Sequence, residues 1–79
     1  MNQYLATFHT HLSAMLTCRA LTRRGVDAQM APVPRCVSSS CGTGVFYTAQ
    51  DPCEDCLDED TAQVYLQNSS QYTLVLDRE

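Results

Sequence analysis

Apolar and polar residues recur along this chain in periods that predict six secondary-structure elements. The run Tyr4–Phe8 is short and mostly apolar, which predicts a buried strand. Thr10–Arg24 is helical in pattern, with Thr10 suited to cap its start and Cys18 on its apolar stripe, so we expect Cys18 in the core. Gly25 follows two arginines and predicts the end of that helix.

Three further segments have the character of strands. Val26–Ala31 alternates in period two, which indicates a strand with one solvated face. Gly44–Ala49 is rich in residues that favour strands, and Gln71–Asp77 alternates again near the end of the chain. Together with the first run, these segments predict four strands.

A second helix is predicted after the third strand. Asp51 and Pro52 resemble an N-cap followed by the first helical position, and Cys53, Cys56 and Val64 recur near helical spacing. The helix is expected to end near residues 68–69. The resulting order, β-α-β-β-α-β, predicts an α+β fold: a ferredoxin-like sandwich with a four-stranded, mainly antiparallel sheet and two helices on one face.

Size and charge narrow the classes of function. The 79 residues are expected to form a single domain over residues 1–79, and no apolar stretch is long enough to span a membrane. The net charge is −4 and all five basic residues are arginines, which argues against a nucleic-acid partner. Six of the nine acids lie from Asp51 to Asp60 and could meet a basic protein surface. The first residues lack the pattern of a secretory signal, so we expect a cytoplasmic location.

The five cysteines carry the candidate chemistry, at positions 18, 36, 41, 53 and 56. An odd number of clustered cysteines in a reducing compartment points to metal binding or thiol chemistry rather than structural disulfides. Cys41 follows Ser38, Ser39 and Ser40 and precedes Gly42, and such small neighbours favour a displayed thiol. Burial in a small core is the alternative, because unpaired cysteine is often buried.

Several segments resemble one family of small bacterial proteins. They are Phe8-His9 before the first helix, the Gly25-Val26 turn, residues 32–35 (Pro-Val-Pro-Arg) and, above all, residues 38–42 (Ser-Ser-Ser-Cys-Gly). Over residues 3–50 the chain resembles the family named putative Se/S carrier protein-like. The resemblance implies a carrier of sulfur or selenium, not an enzyme, that holds a persulfide or selenopersulfide on Cys41. It would receive the atom from a pyridoxal-phosphate cysteine desulfurase or selenocysteine lyase and pass it to an acceptor protein.

The residues around Cys41 suit that chemistry, and we expect it to need no cofactor. Arg35 and the amides of the Ser/Gly turn, Gly42 included, favour a thiolate, and the three serine hydroxyls can bind the transferred atom. His9 is a candidate proton donor or partner-binding residue, or else an ordinary turn residue. The serines lack the paired acid and base of a hydrolase, and the chain has no glycine-rich phosphate loop.

Three alternatives stay open from the sequence. Cys36, Cys41, Cys53 and Cys56 form two pairs that could hold zinc or an iron–sulfur cluster. Cys53 with Cys56, or Cys36 with Cys41, could act as a redox dithiol, and a helix N-terminus at Cys53 would favour its thiolate while neighbouring acids oppose it. An adaptor without site chemistry is the third, with sheet edges open to homodimer formation.

Overall fold

Five antiparallel strands in one sheet, with a single α-helix on one face, make up the fold in the computed structural model, which describes residues 1–37, 42–69 and 71–78. The strand order across the sheet is β2-β3-β1-β4-β5. Along the chain the elements are β1 (Asn2–Phe8), α1 (His11–Arg23), β2 (Asp27–Pro32), β3 (Thr43–Ala49), a 3₁₀ turn (Glu54–Cys56), β4 (Thr61–Asn68) and β5 (Gln71–Asp77).

The predictions for the first half of the chain and for the last strand are confirmed. Helix α1 begins after Thr10, whose Oγ1 accepts a hydrogen bond from the Ser13 amide at 3.3 Å. It ends before Gly25, which has a φ of +81° that favours glycine. The predicted strands at 4–8, 26–31 and 44–49 match β1, β2 and β3 within two residues, and the predicted 71–77 coincides with β5.

The predicted second helix is wrong, and with it the ferredoxin-like sandwich of four strands and two helices. Residues 51–60 contain one 3₁₀ turn, and the rest of the predicted helix is β4. Thr61–Asn68 alternates in period two, with Val64 fully buried between more exposed neighbours. That period outweighs the helical spacing of Cys53, Cys56 and Val64 because the edge of β1 is available for pairing.

The main core lies between α1 and the sheet. Paired residues of antiparallel strands share a face, so Tyr4, paired with Tyr47, and Ala6, paired with Val45, point together toward the helix. The Tyr4 and Tyr47 rings stack with centroids 5.4 Å apart. Leu21 of the helix is fully buried against this layer.

A second, smaller cluster covers the opposite face of the sheet. Leu5 pairs with Phe46 and is fully buried on this face, opposite to α1. Val33 folds over this face: a Cβ built on Gly44 would come within 2.9 Å of Leu5 Cδ1 and 3.1 Å of Val33 Cγ2. Because Gly44 lacks a side chain, the segment after β2 can lie close against the start of β3.

The acidic segment 51–60 runs along α1 in the opposite direction. Asp55 forms an ion pair with Arg24 at the end of the helix. In the middle of the helix, Thr17 Oγ1 accepts a hydrogen bond from the Asp58 amide at 3.0 Å. At the first turn of the helix, Asp60 accepts a hydrogen bond from Ser13 Oγ. Among the described residues, no helix is long and apolar enough to cross a membrane.

Candidate functional site

The residues on either side of segment 38–41, which contains Cys41 and is called the carrier loop, lie at one end of the sheet. Ser38, Ser39, Ser40 and Cys41 themselves lie outside the described residues, so their proposed roles stay predictions. On one side, the Val37 amide donates to the Pro34 carbonyl at 3.0 Å and closes a turn. On the other, the Gly42 carbonyl accepts from the Val33 amide at 2.9 Å, which holds the two ends of the loop together.

The junction between β1 and α1 lies beside the Gly42 end of this loop. A Cβ built on Gly42 would lie 3.8 Å from the Phe8 carbonyl oxygen, in ordinary contact. The next residue, Thr43, places its Oγ1 3.1 Å from Nδ1 of His11, the first residue of α1. The chain just before β3 is therefore held against the chain just after β1.

Sequence reasoning selected His9 at this junction and missed His11. His9 is exposed, directly follows β1, and donates from its amide to the Asp60 carbonyl at 3.5 Å. The contact with Thr43, two residues after Cys41, belongs to His11. The pairing of Thr7 with Gly44 would have indicated this, because it brings residues after β1 close to residues before β3.

Arg35 and Cys36 lie in the turn that precedes the undescribed residues. Both side chains are exposed, and the turn follows Val33, which is buried. The structure thus places Arg35, Cys36, Gly42 and His9 at one end of the sheet. It does not bring Cys53 or Cys56 there.

A carboxylate fixes the helix start beside the loop. Asp60 Oδ2 accepts hydrogen bonds from Ser13 Oγ at 2.7 Å and Thr10 Oγ1 at 3.0 Å. The Ser13 hydroxyl is the main cause that lowers the pKa of Asp60, and Thr10 and the charge of His9 add to it. An anion here suits the positive pole of α1. The arrangement holds residues 9–13 in place next to Gly42 and Thr43.

The Cys53–Cys56 pair lies at the other end of β3. Cys56 is 8% exposed within the main core, and Arg24 Nη1 lies 3.4 Å from its sulfur. Cys53 is half-buried, and its thiol donates to the Asp51 carbonyl at 3.5 Å. Burial, followed by Asp51, raises the pKa of Cys53. The predicted help from a helix N-terminus is wrong, since a three-residue 3₁₀ turn follows Cys53.

Of the four cysteines proposed as metal ligands, Cys36 follows the strand end that pairs with Thr43, whereas Cys53 and Cys56 follow the other end of β3. The seven residues of β3 separate the loop end from the Cys53 turn by roughly 20 Å at strand spacing. Across residues 1–37, 42–69 and 71–78, no group of three or more His, Cys, Asp or Glu side chains is placed to hold a metal ion. Cys18 packs half-buried against the core, as predicted.

Comparison with known proteins identifies a family. No curated protein matches the chain, and no solved structure does. The family described as "Putative Se/S carrier protein-like" matches residues 3–63, from β1 into β4, a span that contains residues 38–42. Since that span is more than half of the 79 residues, the chain belongs to the Se/S carrier protein-like family.

Proposed function

We propose that this protein carries sulfur or selenium as a persulfide or selenopersulfide on Cys41 and passes it between protein partners. The single observation that carries the proposal is the family match over residues 3–63, which contains Cys41. Within this proposal the protein is a carrier rather than an enzyme, because the transferred atom is activated by its donor.

The loading step requires a nucleophilic sulfur on Cys41. Its thiolate attacks the outer sulfur of a persulfide, R–S–SH, on the donor enzyme. The new bond joins Cys41 Sγ to that sulfur, the sulfur–sulfur bond of the donor breaks, and the donor thiolate leaves. In the unloading step a nucleophile of the acceptor attacks the same outer sulfur, and Cys41 leaves as a thiolate. No net oxidation or reduction occurs in either transfer.

The described surroundings of the loop support this chemistry. Arg35 provides an exposed positive charge on one side of the loop, and the fixed start of α1 lies on the other. Positive charge such as that of Arg35 favours a sulfur anion. His11, held by Thr43 at 3.1 Å, is a candidate to give or take a proton, together with the predicted His9.

The proposed partners follow from the cargo. The donor is a pyridoxal-phosphate cysteine desulfurase or a selenocysteine lyase, and the acceptor is a protein with a thiol or another nucleophile. The exposed residues of the acidic segment 51–60 offer a negative surface for a basic partner. That surface runs along α1 from Asp60, near the start of the helix, to Asp55, near its end.

The test is an intact mass measurement on anaerobically purified protein incubated with a cysteine desulfurase and cysteine. We expect a covalent gain of one sulfur in the wild type and in Cys53→Ser, and no gain in Cys41→Ser. Native and denatured spectra are compared, since bound metal is lost on denaturation and a persulfide is not. A gain that persists in Cys41→Ser, or no gain in any form, would contradict the proposal.

A further inference from the structure

A second pair of thiols lies in a turn that the proposed carrier chemistry does not use. Cys53 and Cys56 flank Glu54 and Asp55 between β3 and β4. The Cys56 amide donates to the Cys53 carbonyl at 2.9 Å, which closes a turn from the first residue to the fourth. Turns of this kind hold the two outer Cα atoms within about 7 Å. Disulfides join Cα atoms about 4.4–6.8 Å apart, so the Cα separation of such a turn is compatible with a bond between these two cysteines.

The turn is held in an unusual conformation. Cys53 has φ 55° and ψ 50°, a left-handed conformation that favours glycine or asparagine. Asp51 Oδ1 accepts from its amide at 2.8 Å and Tyr47 donates to the Pro52 carbonyl at 2.6 Å. Strained residues that neighbouring contacts hold in place are concentrated at functional sites.

The two sulfurs differ in their exposure and in the charged groups that lie beside them. Cys53 is half-buried and within reach of a small molecule, whereas Cys56 is 8% exposed. The guanidinium of Arg24 lies 3.4 Å from the Cys56 sulfur. At this distance the guanidinium is placed to donate to the Cys56 sulfur as that sulfur attacks a mixed disulfide.

We propose that Cys53 and Cys56 form a thiol–disulfide exchange site, separate from Cys41, that reacts with low-molecular-weight disulfides such as oxidised glutathione. Cys53 first loses its proton, a step that burial and Asp51 oppose. Its sulfur then attacks the small disulfide, forms a mixed disulfide and releases one thiolate. The Cys56 sulfur then attacks Cys53 Sγ, closes the internal disulfide and releases the second thiolate. Two electrons and two protons pass from the cysteines to the small disulfide, which becomes two thiols.

The site does not depend on the carrier loop. Thr43 and the turn at Cys53 lie at opposite ends of the seven-residue strand β3, roughly 20 Å apart at strand spacing. The proposal therefore goes beyond the carrier function, and each can fail without the other.

The test uses wild-type protein, reduced, then incubated with excess oxidised glutathione and quenched with iodoacetamide. A protease that cleaves after glutamate cuts at Glu54, between the two cysteines. The peptide that contains Cys53 and the peptide that contains Cys56 are expected to stay joined by a disulfide. Their joint mass should be two hydrogens lower than the sum of the two reduced peptides. Peptides that separate, each bearing iodoacetamide or glutathione, would overturn the proposal. This arm needs no substitution, so it does not depend on a variant that folds.

Two variants test the mechanism. Arg24→Gln is expected to slow ring closure about threefold, so that glutathione accumulates on Cys53, whereas Arg23→Gln in the last turn of α1 behaves as wild type. Cys36→Ser/Cys41→Ser is expected to form the internal disulfide at the wild-type rate. If closure requires Cys36 or Cys41, or if Arg24→Gln and Arg23→Gln close equally fast, the assignment is wrong.

Discussion

Ser13 Oγ donates to Asp60 Oδ2 at 2.7 Å, which joins the first turn of α1 to the residue just before β4. Ser13 is almost completely buried, and Asp60 also accepts from the cap residue Thr10 at 3.0 Å. One carboxylate thus connects the helix start to the strand that pairs with β1. The chain beside Gly42 and Thr43 is kept in place by this connection.

The Asp60 contact predicts a specific loss of stability in acid. The pKa of Asp60 is lowered in the folded protein, chiefly by the Ser13 hydroxyl, so the folded state favours the carboxylate. The contribution is therefore complete above the ordinary aspartate pKa and is lost as pH falls through the lowered folded value. Urea unfolding from pH 7 downward should show a smaller dependence on pH in Asp60→Asn than in the wild type. Asp27→Asn, an exposed position on β2, is the matched control and should keep the wild-type slope.

The close approach at Gly44 predicts that a single methyl group there is costly. A Cβ at this position would meet Leu5 Cδ1 at 2.9 Å, the Ala6 carbonyl oxygen at 3.0 Å and Val33 Cγ2 at 3.1 Å. Because backbone as well as side chain must move, Gly44→Ala should lower the free energy of unfolding by about 1–3 kcal/mol in denaturant titrations.

Gly42→Ala is the control for that substitution. Its Cβ would meet only the Phe8 carbonyl oxygen, at 3.8 Å, within the described contacts. Its unfolding midpoint should stay close to that of the wild type. Equal losses in the two variants would show that the packing of Val33 against Gly44 does not fix the segment before the loop.

The sequence correctly predicted those elements in which the hydrophobic period and the residues at the ends indicate the same structure. Thr10 and Gly25 mark both ends of α1, and Gln71–Asp77 alternates clearly, so both were found within a residue or two. At Asp51-Pro52 a local helix signal was present, yet Asp51 caps the amide of Cys53 in a left-handed turn. The period-two alternation of residues 61–68 is a competing strand signal, and pairing with β1, a contact between distant parts of the chain, decides that region.

The candidate site could be predicted only in part, because some of its contacts depend on pairing between distant parts of the chain. Residue types together with the family resemblance selected the Ser-Ser-Ser-Cys-Gly segment as the candidate site, with Arg35 and His9 as further candidates. The contact of His11 with Thr43 depends on which strand lies beside β1, and β3 does so through antiparallel pairing. Likewise, the separation of Cys36 from Cys53 follows from the extended path of β3, which the spacing of the cysteines does not show.

Two leucines of α1 are expected to differ sharply in their contribution to the free energy of unfolding. Leu21 is fully buried against the sheet, whereas Leu16 is 43% exposed on the outer side of α1. Leu21→Ala should lower the free energy of unfolding by about 2–5 kcal/mol, because it removes buried methyl groups and leaves a cavity. Leu16→Ala should cost less than about 1 kcal/mol. Thermal or urea unfolding of both variants measures the difference, and similar losses would contradict the observed orientation of the helix.

The hydroxyl of Tyr47 is expected to hold the turn at Cys53 in place. Its ring is 1% exposed, and its hydroxyl donates to the Pro52 carbonyl at 2.6 Å. Burial raises the pKa of Tyr47 far above its usual value, so the phenol keeps its proton and stays a donor at any working pH. Tyr47→Phe should lower the free energy of unfolding by about 1 kcal/mol, since the Pro52 carbonyl loses its partner.

The same substitution should also loosen the turn. Cys53 follows Pro52 directly, so its alkylation by iodoacetamide should be faster in Tyr47→Phe than in the wild type under native conditions. The matched control is Tyr65→Phe, in which the lost hydroxyl donates to Gln63 on the face of the sheet opposite α1. Cys53 should react at the wild-type rate in that variant. If both variants change the rate equally, the effect is a general loss of stability and Tyr47 does not position the turn.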